Sequence, residues 1–186
     1  MQNRIVIKNK INNYNKKIII PGDKSLSIRW VLISSLANGV STAKNLLMSE
    51  DVIASVNAIR KLGVKAKISN TSCKVYGVGF NGYKYKKGLT INAQNSGTLG
   101  RLLAGLLINS PYPIKIIGDE SLSKRDFKRI AKPLKKFGAH LKLKKNYTLP
   151  LTIKGSQNLK PIKYLENKGS AQVKSSIIFA GARTNG

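Results

Sequence analysis

KSLSIRWVLISSLANG, residues Lys24–Gly39, reads as a helix with a polar beginning and an apolar body. Ile28, Val31, Leu32 and Leu36 recur at helical spacing and form one core-facing stripe. Asp23 or Ser25 is placed to cap the first turn, and Gly39 to close the last. Lys24, Ser25 and Ser27 fill the first turn, with Arg29 one turn above Ser25. The free N–H groups of a helix start carry partial positive charge. A hydroxyl, a lysine and an arginine at that point suit a phosphate or carboxylate. The segment before it, Lys17–Ile20, predicts a strand ending in Pro21-Gly22-Asp23, so the whole reads as strand, turn and anion-facing helix.

Two later stretches share this pattern. Ser96-Gly97-Thr98-Leu99-Gly100-Arg101 opens a helix with Leu99, Leu102, Leu103, Leu106 and Leu107 behind it. Ser170-Ala171-Gln172-Val173-Lys174 opens another, followed by Ile177, Ile178 and Ala180. Arg29, Arg101 and Lys174 stand 72 and then 73 residues apart, and IRKLGVKAKI (Ile59–Ile68) is echoed by LKKFGAHLKL (Leu134–Leu143) at an offset of 75. Two landmarks at one period predict an internal repeat of strand–helix–strand–helix–hairpin units. The expected class is α/β (α+β). Two full units are expected at about 21–80 and 88–155, with the start of a third at about 156–186.

Within this frame the chain predicts further elements. Arg4–Lys8 and Lys16–Ile20 read as strands around a turn at Asn12-Asn13-Tyr14-Asn15. Val40–Leu47 reads as a strand, and Ser49-Glu50-Asp51 caps a helix whose stripe is Val52, Val56, Ile59 and Leu62. Val64–Ile68 and Lys74–Val78 form a hairpin. In the second unit, strands are expected at Leu89–Asn92 and Ile114–Ile117, a polar loop at Gly118–Ser123, and a helix ending at Phe137. Pro133 makes that helix start late or kink. Leu141–Leu143 and Leu149–Ile153 form the second hairpin, and Ile162–Leu165 a strand before the helix from Ser170.

The 186 residues carry 34 Lys and Arg against 7 Asp and Glu, a net charge of +27. That balance favours anionic partners. The lysines are spread over every segment rather than interleaved with aromatics, so no specific nucleic-acid platform is expected. One cysteine, Cys73, excludes an internal disulfide and a multi-cysteine metal site, and it reads as a buried strand residue. The single His140 reads as structural. No apolar run approaches the length needed to span a membrane, and no signal-peptide core opens the chain, so a cytoplasmic protein without membrane contact is expected.

The seven acids offer no acid–base pair or metal-ligand spacing, and no Ser–His–Asp set is visible. What remains is anion recognition by Lys24, Ser25, Arg29, Thr98, Arg101, Arg125, Ser170, Gln172 and Lys174.

These residues lie in four motifs: PGDKSLSIR (Pro21–Arg29), NSGTLGR (Asn95–Arg101), GDESLSKR (Gly118–Arg125) and SAQVKS (Ser170–Ser175). In this order they resemble the 5-enolpyruvylshikimate-3-phosphate synthase family, and the likeness runs from about Lys16 to the end. The resemblance implies transfer of the enolpyruvyl group of phosphoenolpyruvate to the 5-hydroxyl of shikimate 3-phosphate, without cofactor or metal. It implies an inside-out α/β barrel domain of repeated units, paired with a second domain. By motif position, Lys24, Ser25, Arg29, Thr98, Ser170, Ala171 and Gln172 would bind shikimate 3-phosphate. Lys24, Asn95, Gly97, Arg125 and Gln172 would bind phosphoenolpyruvate. The family's catalytic Asp and Glu would lie beyond Gly186, so residues 21–186 form a substrate-binding domain with no catalytic acid or base. Residues 1–20 would pack with the second domain.

Four positions depart from the family pattern: Ile28 for Asn, Trp30 for Ala, Asp126 for Pro and Leu102 for Pro. The sister enzyme acting on UDP-N-acetylglucosamine has an asparagine after the lysine and a reactive loop cysteine. Here Ser25 follows Lys24, and Cys73 lies in the wrong unit. A basic nucleic-acid-binding module is the rival of a different class, and it predicts steep salt dependence.

Overall fold

The computed structural model describes residues 15–186 together with residues 6, 8, 10 and 13. Its elements are α1 (Lys24–Ser35), β1 (Asn38–Ala43), α2 (Glu50–Lys61), β2 (Lys65–Ser69), β3 (Ser72–Val78), β4 (Thr90–Asn92), α3 (Gly97–Leu106), β5 (Ile114–Ile117), α4 (Glu120–Ser123), α5 (Lys128–Lys136), β6 (His140–Lys142), β7 (Leu151–Lys154) and α6 (Ala171–Gly181). Helix, strand, helix and hairpin follow one another twice, and then α6 begins. The hairpins build two sheets, ordered β1-β3-β2 and β4-β5-β7-β6, antiparallel except where β4 runs parallel to β5.

Burial explains the order. The apolar stripes of the helices face one continuous core that includes Ile28, Leu32, Ile59, Leu103 and Leu106. Strand alternation supplies the other wall: Ile114 and Ile116 are buried while Lys115 between them is exposed. Cys73 is buried in β3, where burial pushes its thiol above the ordinary value.

Close backbone approaches fix how the helices sit. Gly22 lies against the backbone of Asn45 and Leu47, leaving no room for a side chain. The Ser27 hydroxyl donates to the Asp23 carbonyl at 2.7 Å and accepts the Leu47 N–H at 3.1 Å. The Asn45 amide reaches the Ile20 carbonyl. These contacts hold the loop before α2 against the first turn of α1. Gly105 on α3 lies equally close to the Ser176 carbonyl on α6. Ser176 itself is fully buried and donates to the Arg101 carbonyl at 2.8 Å.

Several expectations are corrected. Lys16–Ile20 is not a strand: the segment is irregular, and Ile18, Ile19 and Ile20 are exposed by 65%, 87% and 72% with no sheet partner among the described residues. Apolar β-branched composition sets strand propensity, but a strand also needs a hydrogen-bonding edge. Ile162–Leu165 fails for the same reason, and Leu165 is 82% exposed. The strand expected at Val40–Leu47 begins earlier and ends at Ala43, because positive φ at Asn45 turns the chain. The expected loop Gly118–Ser123 contains one helical turn, capped by Asp119, whose carboxylate accepts the Leu122 N–H at 2.7 Å. Ser49 precedes α2 but makes no side-chain cap; its hydroxyl is buried without a partner. The strand expected at Arg4–Lys8 and the turn at 12–15 fall largely outside the described residues.

Gly105→Ala will lower stability, although alanine is the better helix former by about 1 kcal/mol. Its methyl must push α3 from α6, an overpacking cost of about 1–3 kcal/mol. A reduced urea midpoint with an unchanged slope checks this.

Candidate anion-binding site

Three helix starts converge. Asp23 caps α1 by accepting the Leu26 N–H at 2.6 Å, Ser96 caps α3 through the Leu99 N–H at 3.2 Å, and Ser170 caps α6 through the Val173 N–H at 3.3 Å. In each case a short polar side chain takes one orphan donor of the first turn. Side chains then tie the helices to one another. Arg29 on α1 donates Nε to Ser175 Oγ at 3.1 Å and Nη2 to the Ala171 carbonyl at 3.5 Å, while Nη1 holds the Ser25 carbonyl at 3.0 Å. Gln172 on α6 donates Nε2 to Thr98 Oγ1 on α3 at 3.0 Å and accepts from Arg101 Nη1 at 2.6 Å.

Between these helix starts lies a cleft of about 210 Å³. Lys24 and Arg125 supply its cations. Asn95, Gly97, Thr98 and Gln172 supply small and polar walls. Arg125 arrives from the residues after α4 and donates Nη2 to Asn95 Oδ1 at 2.7 Å and to Ser121 Oγ at 3.3 Å. Asp51, at the start of α2, is the acid in this cleft, and one of its carboxylate oxygens lies 3.1 Å from Lys24 Nζ. The Ser27 pin that holds the α2 loop therefore also brings Asp51 to Lys24. Larger hollows lie between α2 and β4 and beside the second hairpin.

The expected residues fall into three neighbouring groups. Lys24, Asn95, Gly97, Thr98, Arg125 and Gln172 share the cleft. Ser25, Arg29 and Ala171 lie along the α1–α6 seam. Ser170 lines an adjoining hollow with Arg101, Arg129 and Gln172. Lys174 is exposed, so the third basic position of the repeat differs from Arg29 and Arg101, which tie helices together. Asp51 escaped the sequence reading as a site residue. It looks like an ordinary helix-start acid, and no spacing links it to Lys24. Asp126, a departure from the family pattern, accepts the Lys128 N–H at 2.6 Å in a tight turn leading into α5. Ile28 is wholly buried in the core. Among the described residues, no three His, Cys, Asp or Glu side chains gather as a metal site, and no helix is long and apolar enough to cross a membrane.

The approach to α6 is held by Glu166. Its carboxylate accepts Arg129 Nη2 at 2.7 Å and the Lys168 N–H at 3.2 Å. The Arg129 hydrogen bond foremost holds the Glu166 carboxyl below the ordinary value of 4.5, against the opposing effect of burial. A depressed carboxylate pKa contributes stability above the unfolded value and loses it as pH falls through the folded one. Glu166→Gln will therefore lower the urea midpoint at neutral pH. The gap from the unsubstituted chain will close as pH drops below the ordinary carboxylate range.

At Gly97 an added Cβ would stand 2.8 Å from Arg101 Nη1 and 3.3 Å from Arg125 Nη1. Both are ends of side chains, so Gly97→Ala will keep the fold but shift the Arg101 guanidinium behind the cleft wall and crowd Arg125 within the cleft. A near-native urea midpoint with weakened phosphate binding in calorimetry is the expected result.

Comparison with known proteins places the chain in a family. The family profile described as EPSP synthase (3-phosphoshikimate 1-carboxyvinyltransferase) matches residues 8–186. The chain is 43% identical over 182 residues to the 3-phosphoshikimate 1-carboxyvinyltransferase of Endomicrobium trichonymphae, covering 97% of this chain and 42% of that protein. It is 40% identical over 181 residues to the enzyme of the same name from Streptococcus suis strain 98HAH33, with the same coverage of each chain. The solved EPSP synthase of Acinetobacter baumannii superimposes with a TM-score of 0.84 at 39% identity, over 89% of this chain and 38% of that one. The chain thus spans about 42% of the length of the curated relatives it matches. By its profile match, its sequence identity and its shared fold, this chain belongs to the EPSP synthase family.

Proposed function

We propose that the chain forms the shikimate 3-phosphate-binding part of an EPSP synthase. In the whole enzyme it would hold that substrate beside phosphoenolpyruvate while the enolpyruvyl group passes to the 5-hydroxyl and phosphate leaves. The supporting observation is the convergence of three capped helix starts on one cleft that also holds Lys24 and Arg125. Two anionic substrates need several fixed donors to share one site without repelling each other. Lys24 would meet both ligands. Ser25, Arg29, Ser170 and Ala171 would take the shikimate 3-phosphate along the α1–α6 seam, with Thr98 and Gln172 at its edge. Arg125, Asn95 and Gly97 would take phosphoenolpyruvate, and Gln172 would reach both. Asp51 would release Lys24 when an anion arrives, because a doubly charged phosphate competes for the ammonium with a single carboxylate.

No acid or base is assigned within these residues. The acid and base would come from a second domain of the same enzyme, which would work in the cytoplasm without cofactor.

Trp30 follows Arg29 directly and is partly buried, so its fluorescence will report occupation of the first helix start. Titration with shikimate 3-phosphate is expected to give a saturable change, and unphosphorylated shikimate little or none. Lys24→Met will weaken the response by about tenfold or more, as expected for loss of a charged hydrogen-bond partner. The 186-residue chain is expected to release no phosphate from phosphoenolpyruvate. A response to short RNA but not to shikimate 3-phosphate would overturn the proposal.

A further inference from the structure

Arg101 stands at the same repeat position as Arg29 but does not open into the cleft. Its guanidinium lies 4.9 Å from the centre of the Phe127 ring. Nη2 donates to the Asp126 carbonyl at 3.0 Å, and Nη1 donates to Gln172 Oε1 at 2.6 Å. Its own backbone carbonyl accepts the buried Ser176 hydroxyl. Four contacts from three directions hold it in place.

A guanidinium has five donors and no acceptor. Whatever atom of Gln172 faces Arg101 at 2.6 Å must therefore be the carboxamide oxygen, which settles the amide orientation. The NH₂ end then faces Thr98 Oγ1 at 3.0 Å. Nitrogen of a carboxamide only donates, so the Thr98 oxygen accepts, and the threonine O–H is left to donate elsewhere. No other protein atom among the described residues takes that proton or the second Nε2 proton of Gln172. Both residues line the cleft. Asn95 repeats the device, since Arg125 occupies its Oδ1 and leaves its NH₂ unclaimed.

Building on the functional reading above, we propose that Arg101 is a positioning residue that fixes hydrogen-bond polarity from Arg101 to Gln172 to Thr98, so that the second Nε2 proton of Gln172 and the Thr98 hydroxyl proton are left to donate to a ligand at this wall of the cleft. Such a wall selects ligand oxygens that are pure acceptors, as in a fully ionised phosphate or carboxylate. It disfavours a group that can only donate, such as an ammonium. Without Arg101, the Gln172 amide is free to flip and present its oxygen to the anion.

Three variants of the 186-residue chain test this, by calorimetry with shikimate 3-phosphate and inorganic phosphate and by the ¹H–¹⁵N signals of the Gln172 side chain. Arg101→Met is expected to weaken anion binding by about tenfold or more and move the Gln172 signals to the positions of an exposed glutamine. Arg101→Lys, another donor-only cation, is expected to recover much of the affinity. Gln172→Glu separates positioning from mere packing: its carboxylate pairs better with Arg101 and keeps or raises the melting temperature, yet anion binding falls because the donors are gone. If Arg101→Met binds shikimate 3-phosphate within twofold of the unsubstituted chain, with Gln172 signals unchanged, the relay is wrong and the functional reading stands. If the unsubstituted chain binds neither anion, the functional reading falls. The Gln172 signals then still decide the positioning: loss of their order in Arg101→Met upholds it, and no change overturns it.

Discussion

The site depends on the close approach of α3 to α6. Gly105 allows it by presenting no side chain to the Ser176 carbonyl, and the Ser176 hydroxyl joins the Arg101 carbonyl across the same seam. Without that approach, Gln172 could not reach Thr98, and Arg101 could not reach Gln172. Two helix starts would then stand apart, each with an ordinary cap. A carbon that is missing from the core thus decides the geometry of a polar cleft near the surface. Packing in a dense interior transmits such constraints because there are few voids to absorb them.

A second constraint acts at the opposite wall. Gly22 and Ser27 bind the segment before α2 to the first turn of α1. The first carboxylates of α2 come with it, and Asp51 meets Lys24. A candidate anion site that contains its own carboxylate has a built-in competitor. The ion pair keeps Lys24 ordered, while the partly exposed lysine remains open to exchange. Arg29 and Arg101 illustrate a different use of charge. Both sit at equivalent places in the repeat, and both donate to protein oxygens of other turns, Arg29 through three hydrogen bonds and Arg101 through two. They act as rivets between helices as much as attractors of ligand.

Composition alone would have misled. A net charge of +27 suggests a polyanion partner, yet the lysines are scattered. The structured part of the charge is a handful of groups held by caps, carbonyls and an aromatic ring. What separates a phosphate site from a solvated basic surface is the fixing of donors in advance of the ligand.

The sequence by itself determined most of the caps, the core-facing stripes and which helix starts carry hydroxyls and cations in or just beyond the first turn. These follow from period, capping chemistry and motif, all of which act within a few residues: the stripes of α1, α2 and α3, the caps Asp23, Ser96 and Ser170, and the motif residues Lys24, Gly97, Arg125 and Gln172 were legible for that reason. The segments Lys16–Ile20 and Ile162–Leu165 were misread because strand formation requires a partner edge, which no local pattern encodes. The pairing of Lys24 with Asp51, and the chain from Arg101 through Gln172 to Thr98, were decided only by the tertiary structure. They join residues 27, 71 and 74 positions apart, and such contacts are set by how helices dock rather than by what any helix contains.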